Sequence, residues 1–128
     1  PKERDKFYKT ISNSQSSLIL AGDSHNSWLS NLFDKNNKFV GVEIGAPSIT
    51  SPNFVDTFGD FTEALDKSFI DSNKDLIWTN GRNKGYVELN IFSEYVDVKF
   101  NFVSSVKSKN YKNLKPIIFK VNHSEAIT

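Results

Sequence analysis

Two side chains able to hold a metal ion sit one residue apart at the end of an apolar run. They are Asp23 and His25 of Gly22-Asp23-Ser24-His25, which directly follows Leu18-Ile19-Leu20-Ala21. Carboxylate oxygen and neutral imidazole nitrogen are both good ligands for first-row metals. With one residue between them they converge on one ion if the backbone turns sharply, and Gly22 is placed to permit close backbone approach. Asp23 would bring charge. His25 would bind as neutral imidazole, its second ring nitrogen fixed by another group. A plainer reading competes: Asp23 or Ser24 suits the N-cap of a helix starting near Asn26, with His25 an ordinary first-turn residue. Two ligands do not make a site, and spacing alone leaves both readings open.

The remaining candidates are weaker. Asp71-Ser72-Asn73-Lys74-Asp75 resembles the start of a calcium loop, but Leu76 stands where Gly is needed and Arg82 where Glu is needed, so the stretch reads as a turn. Ser51 has no base and orienting group in view. His123, between Asn122 and Ser124, reads as structural. Glu43 faces away from Val42 and Ile44, solvated, ion-paired or placed behind a metal ligand. Trp28 and Trp78 read as core. Lys107, Lys109, Lys112 and Lys115 form a loose basic patch that reads as a solvated loop.

The elements that must position Asp23 and His25 follow from hydrophobic period. Phe7, Tyr8 and Ile11 give residues 2–12 a short helix, ended by the polar run Ser12 to Ser17. Residues 18–22 are apolar without alternation, the pattern of a strand buried on both faces. Trp28, Leu29, Leu32 and Phe33 suggest a second helix over 26–33. Val40, Val42 and Ile44 make a half-buried strand over 39–44. Pro47 and Pro52 then force an irregular path. Phe58, Phe61, Leu65 and Phe69 predict a third helix over 60–70. Two alternating runs, 86–92 and 95–103, read as a hairpin joined at Ser93-Glu94, and 117–121 as one more strand. The order predicts one α/β layered domain, a mixed sheet with antiparallel strands at its C-terminal end.

Composition narrows the class. The chain has 128 residues, 38% apolar and 24% charged, with a net charge of +1 and eleven Phe, which suits a soluble domain with an aromatic core. Only Arg4 and Arg82 carry a guanidinium, so nucleic acid is not an expected partner. No run approaches the roughly 18 apolar residues of a membrane span, and none reads as a signal peptide or lipidation motif. With no Cys, disulfides, thiolate metal sites and cysteine nucleophiles are excluded. The absence of Met and the start at Pro1 hint at a piece of something longer.

Three blocks together are more specific than any one. "LILAGDSHNSWLSNLF", "VGVEIGAPSITSPNF" and "NKDLIWTNGRNKGYVELNIFSEYVDVKFNFV" resemble the C-terminal part of the alkaline phosphatase D (PhoD-type) family, over residues 18–103. These metallophosphatases are related to the calcineurin-like and purple acid phosphatases. The resemblance implies a layered α/β/β/α fold and metal-dependent hydrolysis of phosphomonoesters, with phosphodiesters as a further class. It implies that Asp23 and His25 are metal ligands and that the ions are iron and calcium, other divalent metals remaining possible. It also implies export to the periplasm or cell surface. Lys84 and Lys74 depart from it, where the family often has Arg before Gly-Tyr and Pro after Asn. No D-x-D or G-D-x-x-x-N block precedes Leu18. Residues 1–128 are therefore expected to form the C-terminal portion of the catalytic domain, needing its missing N-terminal part as partner and inactive alone. The competing class is a non-catalytic α/β or β-sandwich binding module in which Asp23 only caps a helix.

Overall fold

A computed structural model describes residues 2–12 and 17–128. Helix α1 (Lys2–Ile11) precedes strands β1 (Leu18–Ala21), β2 (Ser27–Phe33) and β3 (Phe39–Gly45). Helix α2 (Phe54–Phe58), a 3-10 turn (Gly59–Phe61) and helix α3 (Thr62–Ser72) follow. Strands β4 (Leu76–Asn80), β5 (Lys84–Ile91), β6 (Tyr95–Val103) and β7 (Ile117–Asn122) complete the chain.

The strands form two sheets, one ordered β1-β3-β2-β4 and the other β5-β6-β7. The first is mixed: β1 runs parallel to β3, whereas β2 is antiparallel to both β3 and β4. The second is wholly antiparallel. Val96, Val98, Phe100 and Phe102 alternate along β6 and face Leu29, Val42 and Ile44 of the first sheet, so the core lies between the sheets. Trp78 closes it, with its ring centroid 4.7 Å from Phe100 and 5.5 Å from Phe119. On the opposite face of the first sheet, Trp28 packs edge-on against Phe69 of α3 at 5.6 Å and Phe54 of α2 at 6.0 Å. The layers are thus helices, mixed sheet, antiparallel sheet. The outer face of the second sheet carries exposed Tyr86 and Ile118 and a Lys99–Glu88 ion pair.

Residues 26–33 are a strand, not the helix their spacing suggests. Both faces of β2 are covered, Leu29 by the core and Trp28 by α2 and α3, and two-sided burial erases the alternation that marks a strand. Asn31 adds to the disguise. It is a buried polar residue whose amide exchanges two 2.9 Å hydrogen bonds with the backbone of Ile127. Strand β4 is hidden for the same reason, and α2 is only five residues long. Of the stripe expected for the third helix, Phe61 falls in the 3-10 turn before it and is 80% exposed; Thr62, the first residue of α3, is buried instead. Ile91 is likewise exposed at the end of β5. Of the polar run after α1, residues 13–16 lie outside the described residues.

Candidate functional site

Parallel pairing of β1 with β3 sets the carboxyl ends of both strands side by side, Ala21 opposite Gly45. The loops leaving those ends, residues 22–26 and 46–53, therefore meet at one edge of the sheet, where ligands collect in open α/β sheets. Ala46 N–H donates to the Ala21 carbonyl at 2.7 Å and sews the two loops together at their base.

The first loop turns at His25. Its N–H donates to the Gly22 carbonyl at 3.1 Å, and its backbone sits in the left-handed region at φ 62°. A bulky residue rarely adopts that conformation without support. Support comes from the second loop. Ser48 N–H donates to the His25 carbonyl at 3.0 Å, and His25 Nδ1 lies 2.9 Å from the Pro52 carbonyl oxygen. A carbonyl accepts only, so Nδ1 is the donor, and in the neutral ring the lone pair then lies on Nε2. The close backbone approach expected at Gly22 is not there; a side chain at that position would meet nothing within 4 Å.

Asn26 holds the same loop from inside. It is 1% exposed; its amide donates to the Ser24 carbonyl at 2.6 Å, and its Oδ1 accepts the Phe54 N–H at 3.0 Å. Trp28 Nε1–H donates to Ser24 Oγ at 2.7 Å. No helix follows, so Asp23 caps nothing and the helix-cap alternative loses its basis. Neither hydrogen bond nor ion pair engages the Asp23 carboxylate among the described residues.

The second loop is tied down by Lys84, a buried cation that sequence reasoning noted only as a departure from the family's Arg-Gly-Tyr and gave no role. Its ammonium donates to Ser51 O at 2.6 Å, Asp56 Oδ2 at 2.6 Å and Asn53 Oδ1 at 3.3 Å, which occupies all three of its donors. The Lys84 hydrogen bond, helped by the Asn53 N–H, holds the Asp56 carboxyl below the usual range. The signal available in sequence was a lysine opening a strand, flanked by Asn83 and Gly85, and it does not reveal burial. Asn53 Nδ2, sealed from solvent, has no partner among the described residues.

Beside the first loop lies a cavity of about 610 Å³, lined among others by Asp23, Ser24, Glu43, Asp75, Arg4 and Tyr8. Burial pushes the Tyr8 phenol up; Arg4 opposes, while Glu43 and Asp75 add to the rise. Half-buried Glu43 thus faces this open cavity. His25 does not line it.

The two candidate ligands fit a metal in kind: one carboxylate, and one imidazole whose second nitrogen is already fixed by a carbonyl, the arrangement that metal-binding histidines ordinarily show. They do not suffice in number. Among the described residues no three His, Cys, Asp or Glu side chains gather where an ion could be held. The other candidates play structural parts. Ser51 accepts bonds through its carbonyl, from Ser48 Oγ at 2.7 Å as well as from Lys84. His123 Nε2 bonds the Phe92 carbonyl at 3.0 Å, beyond the far end of the second sheet's hairpin. Residues 71–75 end α3 and turn into β4, as Leu76 N–H donates to the Asn73 carbonyl at 2.9 Å.

Comparison with known proteins agrees with this architecture. Among solved structures, that of PhoD superposes with a TM-score of 0.73 at 20% identity, covering 97% of this chain and 24% of that one. The fold is therefore that of part of the PhoD structure, and the chain spans about a quarter of the PhoD chain's length. A family model of PhoD-like phosphatases matches residues 1–100, and the chain belongs to that family. Comparison with curated proteins gives no match. No helix among the described residues is long and apolar enough to cross a membrane.

Proposed function

We propose that this chain is the C-terminal portion of the catalytic domain of a metal-dependent phosphoric ester hydrolase, and that Asp23 and His25 are two of its metal ligands. The observation that carries the reading is His25. It is held in a left-handed backbone conformation with Nδ1–H engaged by the Pro52 carbonyl, which leaves Nε2 as the nitrogen able to bind an ion. When bound, metal ions supply positive charge that polarises a phosphoryl oxygen and lowers the pKa of a water. Asp23 would offer one carboxylate oxygen to this site and His25 one neutral nitrogen. The loop around them holds their backbone fixed.

The substrates in this reading are phosphomonoesters first and phosphodiesters second. The ions are iron and calcium, with other divalent metals able to substitute, and the protein acts after export to the periplasm or cell surface. Two ligands fall short of the three or more that a catalytic ion needs. Residues 1–128 alone should therefore turn over neither p-nitrophenyl phosphate nor bis(p-nitrophenyl) phosphate. A protein that joins this chain to the rest of a PhoD-length domain should hydrolyse at least the first and lose the activity on chelation. Metal-dependent turnover by the 128-residue chain, or chelator-insensitive turnover by the complete protein, would overturn the reading.

A further inference from the structure

We propose that Lys84 is a positioning residue for His25, acting through the Pro52 carbonyl. The inference rests on the reading of His25 as a metal ligand only for its functional consequence; the positioning itself is read from the described hydrogen bonds. The Lys84 ammonium grips the carbonyl of Ser51 at 2.6 Å and the side chain of Asn53 at 3.3 Å, the residues on either side of Pro52. Asp56 Oδ2 anchors it at 2.6 Å and also takes the Asn53 N–H at 3.1 Å. The next residue of β5 reinforces the grip. Gly85 N–H donates to the Ser48 carbonyl at 3.1 Å, and Ser48 N–H donates to the His25 carbonyl at 3.0 Å. Both ends of the second loop are thus fixed from the start of β5, and the Pro52 carbonyl between them is aimed at His25 Nδ1.

A carbonyl held in place selects the imidazole tautomer. With Nδ1 bound to hydrogen, Nε2 is the free donor nitrogen; once the carbonyl drifts, the ring samples both tautomers and other orientations. Lys84 lies 9% exposed and touches neither candidate ligand. A merely structural lysine would move stability and leave the His25 tautomer alone.

The test is the side-chain ¹⁵N spectrum of the 128-residue chain without metal, at mildly alkaline pH where imidazole is neutral, with His123 as internal reference. Wild type should show His25 protonated at Nδ1. Lys84→Met should lose that single state and give averaged nitrogen shifts, and Lys84→Arg, which keeps a cation with several donors, should restore most of it. Val121→Ala, a core truncation remote from the loop, should lower stability without moving the His25 signals. If Lys84→Met does not fold, Asp56→Asn decides, since it unhooks the ammonium from its charged acceptor and should shift the same signals by less. A folded Lys84→Met, or failing that a folded Asp56→Asn, with wild-type His25 shifts overturns the proposal; so does an equal shift in Val121→Ala. In the complete protein, Lys84→Met should weaken Mn²⁺ binding roughly 10- to 100-fold, as loss of a group that orients a ligand does. If His25→Ala leaves metal content unchanged there, the functional reading fails, while the tautomer result still decides the positioning role.

Discussion

Replacing Asn26 with Ala tests how the candidate loop is held. The Asn26 amide bridges two backbone groups, the Ser24 carbonyl at 2.6 Å and the Phe54 N–H at 3.0 Å, and so ties the first loop to the start of α2. Truncation leaves both without this partner. A buried donor or acceptor left unpaired costs about 1–3 kcal/mol. Phe54 is half-buried and belongs near the top of that range, whereas Ser24 is exposed, so its carbonyl recovers water and belongs near the bottom. The expected loss is about 2–4 kcal/mol, or a fall in Tm of roughly 10 °C for a chain of this length. Denaturant unfolding followed by circular dichroism measures the total, and amide hydrogen exchange of Phe54 localises it. Asn26→Asp should be worse at neutral pH, because an anionic oxygen would replace the donor facing the Ser24 carbonyl, and should recover as the acid protonates. A loss below about 1 kcal/mol with Phe54 exchange unchanged would refute the claim that this amide organises the loop.

The acidic residues around the second loop should give pH dependences of opposite sign. Asp56 has its folded pKa depressed, chiefly by the Lys84 hydrogen bond, below an ordinary value of 3.8; its contribution is full above that value and lost as pH falls through the folded one. Comparing wild type with Asp56→Asn between about pH 2 and pH 7 should show the difference vanish at the acid end. Asp66 is shifted up by burial against the opposing Gly81 N–H, so it favours the fold when protonated, and stability falls as pH rises from 3.8 through its raised value. Asp66→Asn, which keeps an acceptor for Gly81, should flatten that fall in the same titration. Gly85→Ala should destabilise by at least the roughly 1–3 kcal/mol typical of overpacking, since its Cβ would collide with the Asn101 carbonyl oxygen on β6. Gly22→Ala meets nothing within 4 Å and should stay within about 0.5 kcal/mol of wild type in the same unfolding assay.

What the sequence could show depended on how one-sided each element is. The hairpin β5–β6 was legible because its outer face is polar: Asp97, Lys99 and Asn101 alternate with buried Val96, Val98, Phe100 and Phe102. Strand β1 was legible as a strand from its unalternating apolar run, but not as one buried on both faces: it lies at the edge of its sheet and Leu20 is 63% exposed. Strand β2 was not, because Trp28 and Leu29 are both covered, from opposite sides, and mimic a helical stripe. At the site, the residue types of Asp23 and His25 were visible and their support was not. The Pro52 carbonyl, the buried amide of Asn26 and the Lys84 ammonium come from loops and a strand up to 59 positions from His25, and no local period encodes such contacts. A sharp turn around Asp23 and His25 was expected, with Gly22 there for close backbone approach; it is His25 that takes the positive φ, held by two bonds to the neighbouring loop.

The central claim is that Asp23 and His25 hold metal, and the direct measurement is the metal content of the complete protein by elemental analysis, for wild type, Asp23→Ala and His25→Ala. The account predicts that each variant folds, loses bound metal, and loses phosphomonoester hydrolysis by more than the roughly 100-fold that removal of a supporting group causes. Folded variants that retain the full wild-type metal content and turnover would contradict it.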